Sequence, residues 1–499
     1  MVSDQRGEAS VREPIYLDYA ATTPIDPTVA EVMASCLTAA GDFGNASSAT
    51  HVFGHRAAAR VETARAQVAA LIGAEPDEIL FTSGATESNN LAILGTARAN
   101  ADRGRHIITT RIEHKAVLDP CKRLEREGFS VTYLTPDRQG RVDPEALRAA
   151  FRPDTLLVSI MYVNNEIGVI QDLGAMGALC RERAVAFHTD AAQAVGKTPI
   201  DLRALPVDFL SLTAHKIYGP KGVGALYVRR TSRPLLQPLM FGGGQEKGLR
   251  PGTLATHQIV GLGAACELAA RQVALDQERL FALRERLWQG IARLEGVHLS
   301  AAGAPRVPGI LNVSFEGVEG ESLVTGLKEL ALSTGSACNS ASAEPSYVLR
   351  ALGRDTQLAQ ASLRFSLGRF TTATDVDVAV EAVSREVTRL RELSPAADLA
   401  DGPGVVTGEG GGPGQEIWVR FHLSVDGGTV KAARFKAYGC PHTLAVAEWL
   451  AGRLSGRTRA EGAPGNPTTW AETLSVPVEK LGRLLVIEDA LRACFDRWP

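Results

Sequence analysis

The chain has 499 residues, 45% of them apolar, and a formal net charge of −3 from 53 Lys and Arg against 56 Asp and Glu. That length exceeds one hydrophobic core and implies two to four domains. A near-balance of charge, with no block of either sign, argues against an obligatory nucleic-acid binder.

Residues 1–12 read as a polar N-terminal tail, and "MVSDQRGEASVREPI" lacks the apolar centre of a secretory signal. No apolar run approaches the ~18 residues that span a bilayer. The seven cysteines are odd in number, widely spaced and free of C-x-x-C pairs, which fits a reduced, cytoplasmic protein.

From about 79 to 230, "EILFTS", "RHIITT", "FSVTYL", "TLLVSIM", "VAFHTD", "VDFLSLT" and "GALYVRR" have the length and apolar content of strands. Amphipathic stretches such as "HKAVLDPCKRLEREG" separate several of them. This alternation predicts an α/β fold with a mostly parallel sheet covered on both faces, and ligands at the carboxyl ends of its strands. A long helix over roughly 258–295 leads to "GILNVSFEG" and "SLRFSLGRF", two strands of a smaller α/β domain. Residues 395–414, rich in glycine and proline, read as a flexible linker. Residues 415–499 resume as an α+β unit, with "EIWVRFHLSV", a "DGG" turn and "TVKAARFKAY" before its helices.

Five segments at predicted strand ends carry chemistry. "AHKIYGPKG" sets Lys216 beside Thr213 and His215, as a Schiff-base lysine near a phosphate would need. "FTSGATESNN" offers the start of a helix at Ala85 and Thr86, whose free amides favour an anion. "HTDAAQAVG" ends a strand in Asp190, able to keep a pyridinium nitrogen protonated. "RIEHKAVL" places His114 at a turn, and "VNNEIG" supplies Asn165. Taken alone, each has a plainer structural meaning: a turn lysine, a helix cap, a strand-end carboxylate, a core histidine. Their coincidence along one sheet edge is what favours a pyridoxal-phosphate site. "GPKG" lacks Walker-loop spacing, and His51 and His55 of "HVFGH" read as structural rather than metal ligands.

Over about residues 13–394 the chain resembles the cysteine desulfurases, of the iron–sulfur cluster assembly type, within the class-V, fold-type-I pyridoxal-phosphate enzymes. The carrying stretches are "YLDYAATTP", "GNASSATHVFGH", "FTSGATESNN", "RIEHKAVL", "VNNEIG", "HTDAAQAVGK", "AHKIYGPKG", "RPGTLATHQIVG", "STGSACNSAS" and "SLRFSLGRF". The resemblance implies a large cofactor domain over 13–262 and a small domain over 263–394 with a mobile loop at about 330–345. It implies pyridoxal 5′-phosphate bound to Lys216, with Asp190 at the pyridinium nitrogen and His114 stacked on the ring. Gln193 would reach the phenolic oxygen, and Asn165 would lie near that oxygen and the substrate. Ala85, Thr86, Thr213 and His215 would hold the phosphate, joined by Thr253 of a second subunit, so a homodimer is expected. Arg364 would clamp the carboxylate of L-cysteine, a task suited to a planar guanidinium.

The resemblance also gives Cys338 its role. On its loop it would attack the substrate sulfur, leaving a persulfide on Cys338 and releasing L-alanine, with sulfur passed to iron–sulfur scaffolds or to other acceptors such as those of tRNA thiolation. Residues 415–499 resemble a U-type iron–sulfur scaffold in "ARFKAYGCPHTLAVAEWLAGRLSG" and "EKLGRLLVIEDALRACF". A working scaffold of that type uses three cysteines, and only Cys440 stands at such a position here, with Cys494 expected in a helix. The unit therefore reads as degenerate, with no metal site, and Cys440 as a candidate sulfur acceptor or part of a regulatory module. Alternatives are a selenocysteine lyase, another class-V enzyme, or a sulfur-carrier protein.

Overall fold

The computed structural model describes residues 13–333, 345–393, 404–412 and 416–498. A two-residue strand, β1 (Ile15–Tyr16), is followed by β2 (Ile79–Thr82), β3 (His106–Thr110), β4 (Ser130–Leu134), β5 (Thr155–Ser159), β6 (Ala186–Asp190), β7 (Phe209–Thr213) and β8 (Gly224–Val228). The last seven form one sheet in the order β2-β8-β7-β6-β5-β3-β4. Only β8 is reversed, antiparallel to β2 and to β7; β7, β6, β5, β3 and β4 pair in parallel.

All seven segments expected as strands are strands of this sheet. Their alternation sorts residues onto two cores. Phe81, Ile108, Val158, Phe187 and Leu210 pack on one face, while Leu80, Ile107, Leu157, Ala186 and Phe209 pack on the other. Apolar side chains on both faces are what a sheet covered twice by helices requires. Each fully buried Leu, Ile or Phe contributes about 1.5–3 kcal/mol, so a single register slip would be costly.

The helix Thr256–Ile291 leads into the small domain, where β9 (Val297–Leu299), β10 (Ile310–Phe315), β11 (Leu330–Ala331) and β12 (Ser362–Ser366) follow. β12, β10 and β9 form an antiparallel sheet in that order. The boundary expected at residue 262 needs one correction. β1 pairs with β11, Asp18 bridges to Ser366, and Leu17 lies in the small domain's core, so residues 15–18 return to that domain. Leu17 lies in that domain's apolar cluster and Ile15 packs against it, which holds residues 15–18 on the small domain before the chain enters the large one.

A second correction concerns the glycine-rich stretch read as a linker. Its residues Val405–Gly412 form β13, which pairs antiparallel with β14 (Ile417–Asp426), itself paired with β15 (Thr429–Tyr438). The glycines are a packing requirement. A Cβ on Gly408 would sit 2.2 Å from the Ala490 carbonyl oxygen, and one on Gly410 2.2 Å from that of Val486. Helix Leu481–Asp496 thus lies directly on the strand backbone.

This unit packs against the small domain and shares its hydrophobic cluster. The Ser322 hydroxyl donates to the Gly439 carbonyl at 2.8 Å, Lys480 pairs with Glu321 at 2.8 Å, and the Ala437 amide donates to Leu393. Among the described residues, no helix is long and apolar enough to cross a membrane.

Candidate active site

Because β2, β3, β5, β6 and β7 run in one direction, their carboxyl ends share one edge, and the expected residues gather there. β2 ends at Thr82, and Gly84, at φ 153°, turns the chain into helix Ala85–Ala99. That turn needs glycine for its dihedral, and the close approach of β8 needs a second one: a Cβ on Gly224 would lie 2.7 Å from Gly84 Cα. No side chain caps this helix, so the amides at Ala85 and Thr86 keep their affinity for an anion.

Asp190 closes β6 and is buried. Its carboxylate accepts from Asn89 Nδ2 at 2.7 Å and from the Ala192 amide at 2.9 Å. His114 is the N-cap of helix Lys115–Arg126. Its Nδ1 accepts the Ala116 amide at 3.1 Å, so the neutral ring carries its proton on Nε2. Beside it, Glu113 is wholly buried, and burial pushes its carboxyl up to about 8; Oε1 accepts from Thr110 and from the Met161 amide.

Lys216 follows β7 in a single helical turn, after the buried Thr213. Its Nζ donates to the Ala21 carbonyl at 2.7 Å and also to that of Ala20. Gln193 Nε2 donates to the same Ala20 carbonyl at 2.8 Å, and Gln193 Oε1 accepts from Lys197 at 2.5 Å. His215 Nδ1 lies 3.2 Å from the Thr22 hydroxyl. Burial, then the charges of Lys216, Lys221 and Lys197, push His215 down to about 4 and keep it neutral at physiological pH.

From the small domain, β12 brings Arg364 to this edge. Its guanidinium pairs with Asp18 at 2.7 Å and donates to the Asn165 carbonyl at 2.9 Å, while Nε is buried with no partner among the described residues. Asn165 Oδ1 and Asn89 Oδ1 are likewise buried and unpaired. Unsatisfied polar atoms at one edge, next to an open helix start, a held carboxylate and a lysine, suit a planar heteroaromatic ligand bearing a phosphate. Behind Lys216 a cleft separates the domains, lined among others by Tyr19, Lys197, Tyr218, Val307 and Ser366.

The sequence reading missed Asn89, Asp18 and Lys197. All three lie inside quoted motifs, yet act on a neighbour rather than on a ligand, and spacing alone does not reveal a neighbour. Thr253 is exposed on the single chain. Cys338 lies outside the described residues. Cys440 begins helix Pro441–Leu454 and is wholly buried, its Sγ 3.5 Å from the Thr443 hydroxyl. As an acceptor it is inaccessible in this arrangement. Cys494 is buried in the last helix, as expected, with Sγ against the Phe421 carbonyl at 3.4 Å. His51 caps a helix and His55 meets the Ala49 carbonyl, and no metal-ligand cluster occurs among the described residues.

A family model described as aminotransferase class-V matches residues 15–378. A cysteine desulfurase IscS from Pectobacterium atrosepticum is 59% identical over 386 residues, covering 77% of this chain and 96% of the relative. Among solved structures, a NifS-like protein superposes with a TM-score of 0.70 at 37% identity, over 75% of this chain and all of its own. Another, titled SspA in complex with cysteine, gives a TM-score of 0.65 at 40% identity over 72% of this chain and 100% of its own.

Proposed function

The chain belongs to the aminotransferase class-V family and, within it, to the cysteine desulfurases, and from that premise we propose that it binds pyridoxal 5′-phosphate at Lys216 and moves sulfur from L-cysteine to Cys338. The observation carrying this reading is the meeting of Lys216, Asp190, His114 and the uncapped helix at Ala85 along one sheet edge.

The cofactor, when bound, supplies an electron sink for the substrate's Cα and Cβ. The amides at Ala85 and Thr86, with Thr213 and His215, hold its phosphate. A neutral His215 suits this task as a donor or acceptor that adds no charge of its own. Asp190, kept in place by Asn89, would hold the proton on the ring nitrogen. His114 would cover the ring, with Nδ1 committed to the Ala116 amide and the exchangeable proton on Nε2. Asn165 and Arg364 receive the substrate, Arg364 through the donors that Asp18 leaves available. Lys216 moves the Cα proton. The Cys338 thiolate attacks the substrate sulfur: an S–S bond forms as Cβ–S breaks, and the carbon skeleton gains a proton and leaves as L-alanine.

The persulfide sulfur then serves iron–sulfur cluster assembly or the thiolation of tRNA through protein acceptors. A homodimer is supported by the exposure of Thr253 and by the exposed Met240 and Phe241 nearby. The six described cysteines are all unpaired, in keeping with a reducing cytoplasmic setting. The C-terminal unit serves as a docked regulatory module, a reading favoured by its shared core with the small domain and by the burial of Cys440.

The test is an assay of alanine and sulfide from L-cysteine with cofactor-loaded enzyme and a thiol reductant. Both products are expected from the wild type, and neither above background from Cys338→Ala. Amino-group transfer to a keto acid by both proteins, with no sulfide, would assign a transaminase instead.

A further inference from the structure

One charged side chain at this site has no part in the chemistry above. Lys197 lies seven residues after Asp190, in the turn that carries Gln193. Its backbone is fixed at both ends: its amide donates to Ala194 at 2.9 Å, and its carbonyl accepts from Gln277 of helix Thr256–Ile291 at 2.7 Å. Its ammonium faces the cleft behind Lys216 and donates to Gln193 Oε1 at 2.5 Å. Among the described residues it forms no ion pair. The charged and titratable groups around it are Lys216, Arg364 and the neutral His215, with Arg369 and Asp276 lining the same cleft. Arg364 is bound to Asp18, and Arg369 to Asp26 and Asp276, so the nearby carboxylates are already engaged.

Two consequences follow. First, an ammonium can only donate, so it fixes which end of the Gln193 amide is which. With Oε1 held by Lys197, Nε2 must face the other way, and one of its protons already goes to the Ala20 carbonyl at 2.8 Å. The second proton is left to point toward the cofactor's phenolic oxygen. Without Lys197 only the bond to Ala20 holds this orientation, and a flipped amide would present its carbonyl to that oxygen, a repulsive pairing. Second, Ala20 O receives both Gln193 and Lys216, so Lys197 is connected to the reacting lysine through one shared acceptor. A second cation beside a reacting lysine disfavours a proton on its nitrogen.

We propose that Lys197 is a positioning residue for the cofactor site: it holds Gln193 in its donating orientation and supplies the positive charge that disfavours protonation of the Lys216 nitrogen. The inference rests on the function proposed above and extends it to a residue that touches neither cofactor nor substrate. Burial, followed by the charges of Lys216 and Arg364, pushes Lys197 down to about 7. Its charge is thereby sensitive to what happens at Lys216: once that nitrogen is neutral, Lys197 regains its proton more readily.

The test compares wild type, Lys197→Met and Lys197→Arg, each loaded with pyridoxal 5′-phosphate and checked for folding by circular dichroism. The visible absorbance of the bound cofactor is titrated with pH, and cofactor affinity is measured by reconstitution of the apoprotein. Lys197→Met is expected to move the pH midpoint upward by about one unit and to weaken cofactor binding by roughly tenfold. Lys197→Arg, which keeps a donating cation, is expected to return the midpoint most of the way to wild type. A folded Lys197→Met protein with an unchanged midpoint and affinity overturns the proposal. So does a Lys197→Arg protein that behaves as Lys197→Met does. If the wild type itself develops no lysine-bound absorbance, the function assigned to Lys216 fails first, and the two failures are distinguishable.

Discussion

Two strand-to-helix junctions in this molecule share a plan and differ in outcome. In the large domain β2 turns through Gly84 into helix Ala85–Ala99, which no side chain caps and whose first residues are partly open. In the C-terminal unit β15 turns through Gly439 and Cys440 into helix Pro441–Leu454, again without a side-chain cap. There the junction is closed: Cys440 is wholly buried and the Gly439 carbonyl is taken by Ser322 of the small domain. The same local geometry leaves a candidate ligand site where polar atoms stay unsatisfied, and a docking contact where a neighbouring domain satisfies them.

The comparison breaks most readily at the open junction. Lys216→Ala removes the group proposed to move the Cα proton, and alanine formation is expected to fall by ~10²–10⁴-fold at saturating L-cysteine. A variant that retains wild-type kcat would take the chemistry away from this edge. A smaller effect is expected at Arg364. Replacement by Lys loses the planar fork, and KM for L-cysteine should rise by roughly 10–100-fold, the worth of one or two charged hydrogen bonds. An unchanged KM would mean that the pairing with Asp18 is the whole of its role.

The closed junction can be loosened. Ser322→Ala removes the bond to Gly439, about 1 kcal/mol, so thiol labelling of Cys440 in the intact chain should speed up by roughly fivefold. Labelling of Cys440 already complete in the wild type would show the docked arrangement to be minor in solution.

The smallest effect concerns stability against pH. Burial holds Glu113 at about 8 and Glu166 at about 7, the latter with a hydrogen bond from Ser346. Their folded values lie above the ordinary carboxyl value, so above about pH 4.5 the unfolded chain has released protons that the folded chain still binds. Stability from these two groups is therefore full at low pH and declines as pH rises toward 7–8. Glu113→Gln cannot ionise, yet its carbonyl still accepts from Thr110 and Met161. It should reduce the drop in Tm between pH 5 and pH 8, and an identical drop would mean that Glu113 is ionised in the folded protein.

How much of this was legible in the sequence differs between the same two regions. The large sheet was legible because its strands are continuous apolar runs whose alternate members, such as Phe81 and Leu80, serve opposite cores. The candidate site residues were legible because Asp190 ends such a run and Lys216 and His114 follow one within four residues. β13 was hidden because its composition is that of a linker, although Gly408 and Gly410 recur at the period of a strand and mark the face on which helix Leu481–Asp496 lies. Residues 15–18 were misassigned because two residues of strand carry no signal of which sheet they will join. Lys197 and Asn89 were missed for a different reason: each acts through another side chain, and only three-dimensional neighbourhood reveals that.

The central claim is that sulfur passes from L-cysteine to the thiol at position 338. Its most direct measurement is mass spectrometry of the alkylated, proteolysed enzyme after a single turnover without reductant. The account predicts one added sulfur atom on the peptide bearing Cys338, together with one equivalent of L-alanine. Alanine released with the added sulfur on another cysteine, or on none, would contradict it.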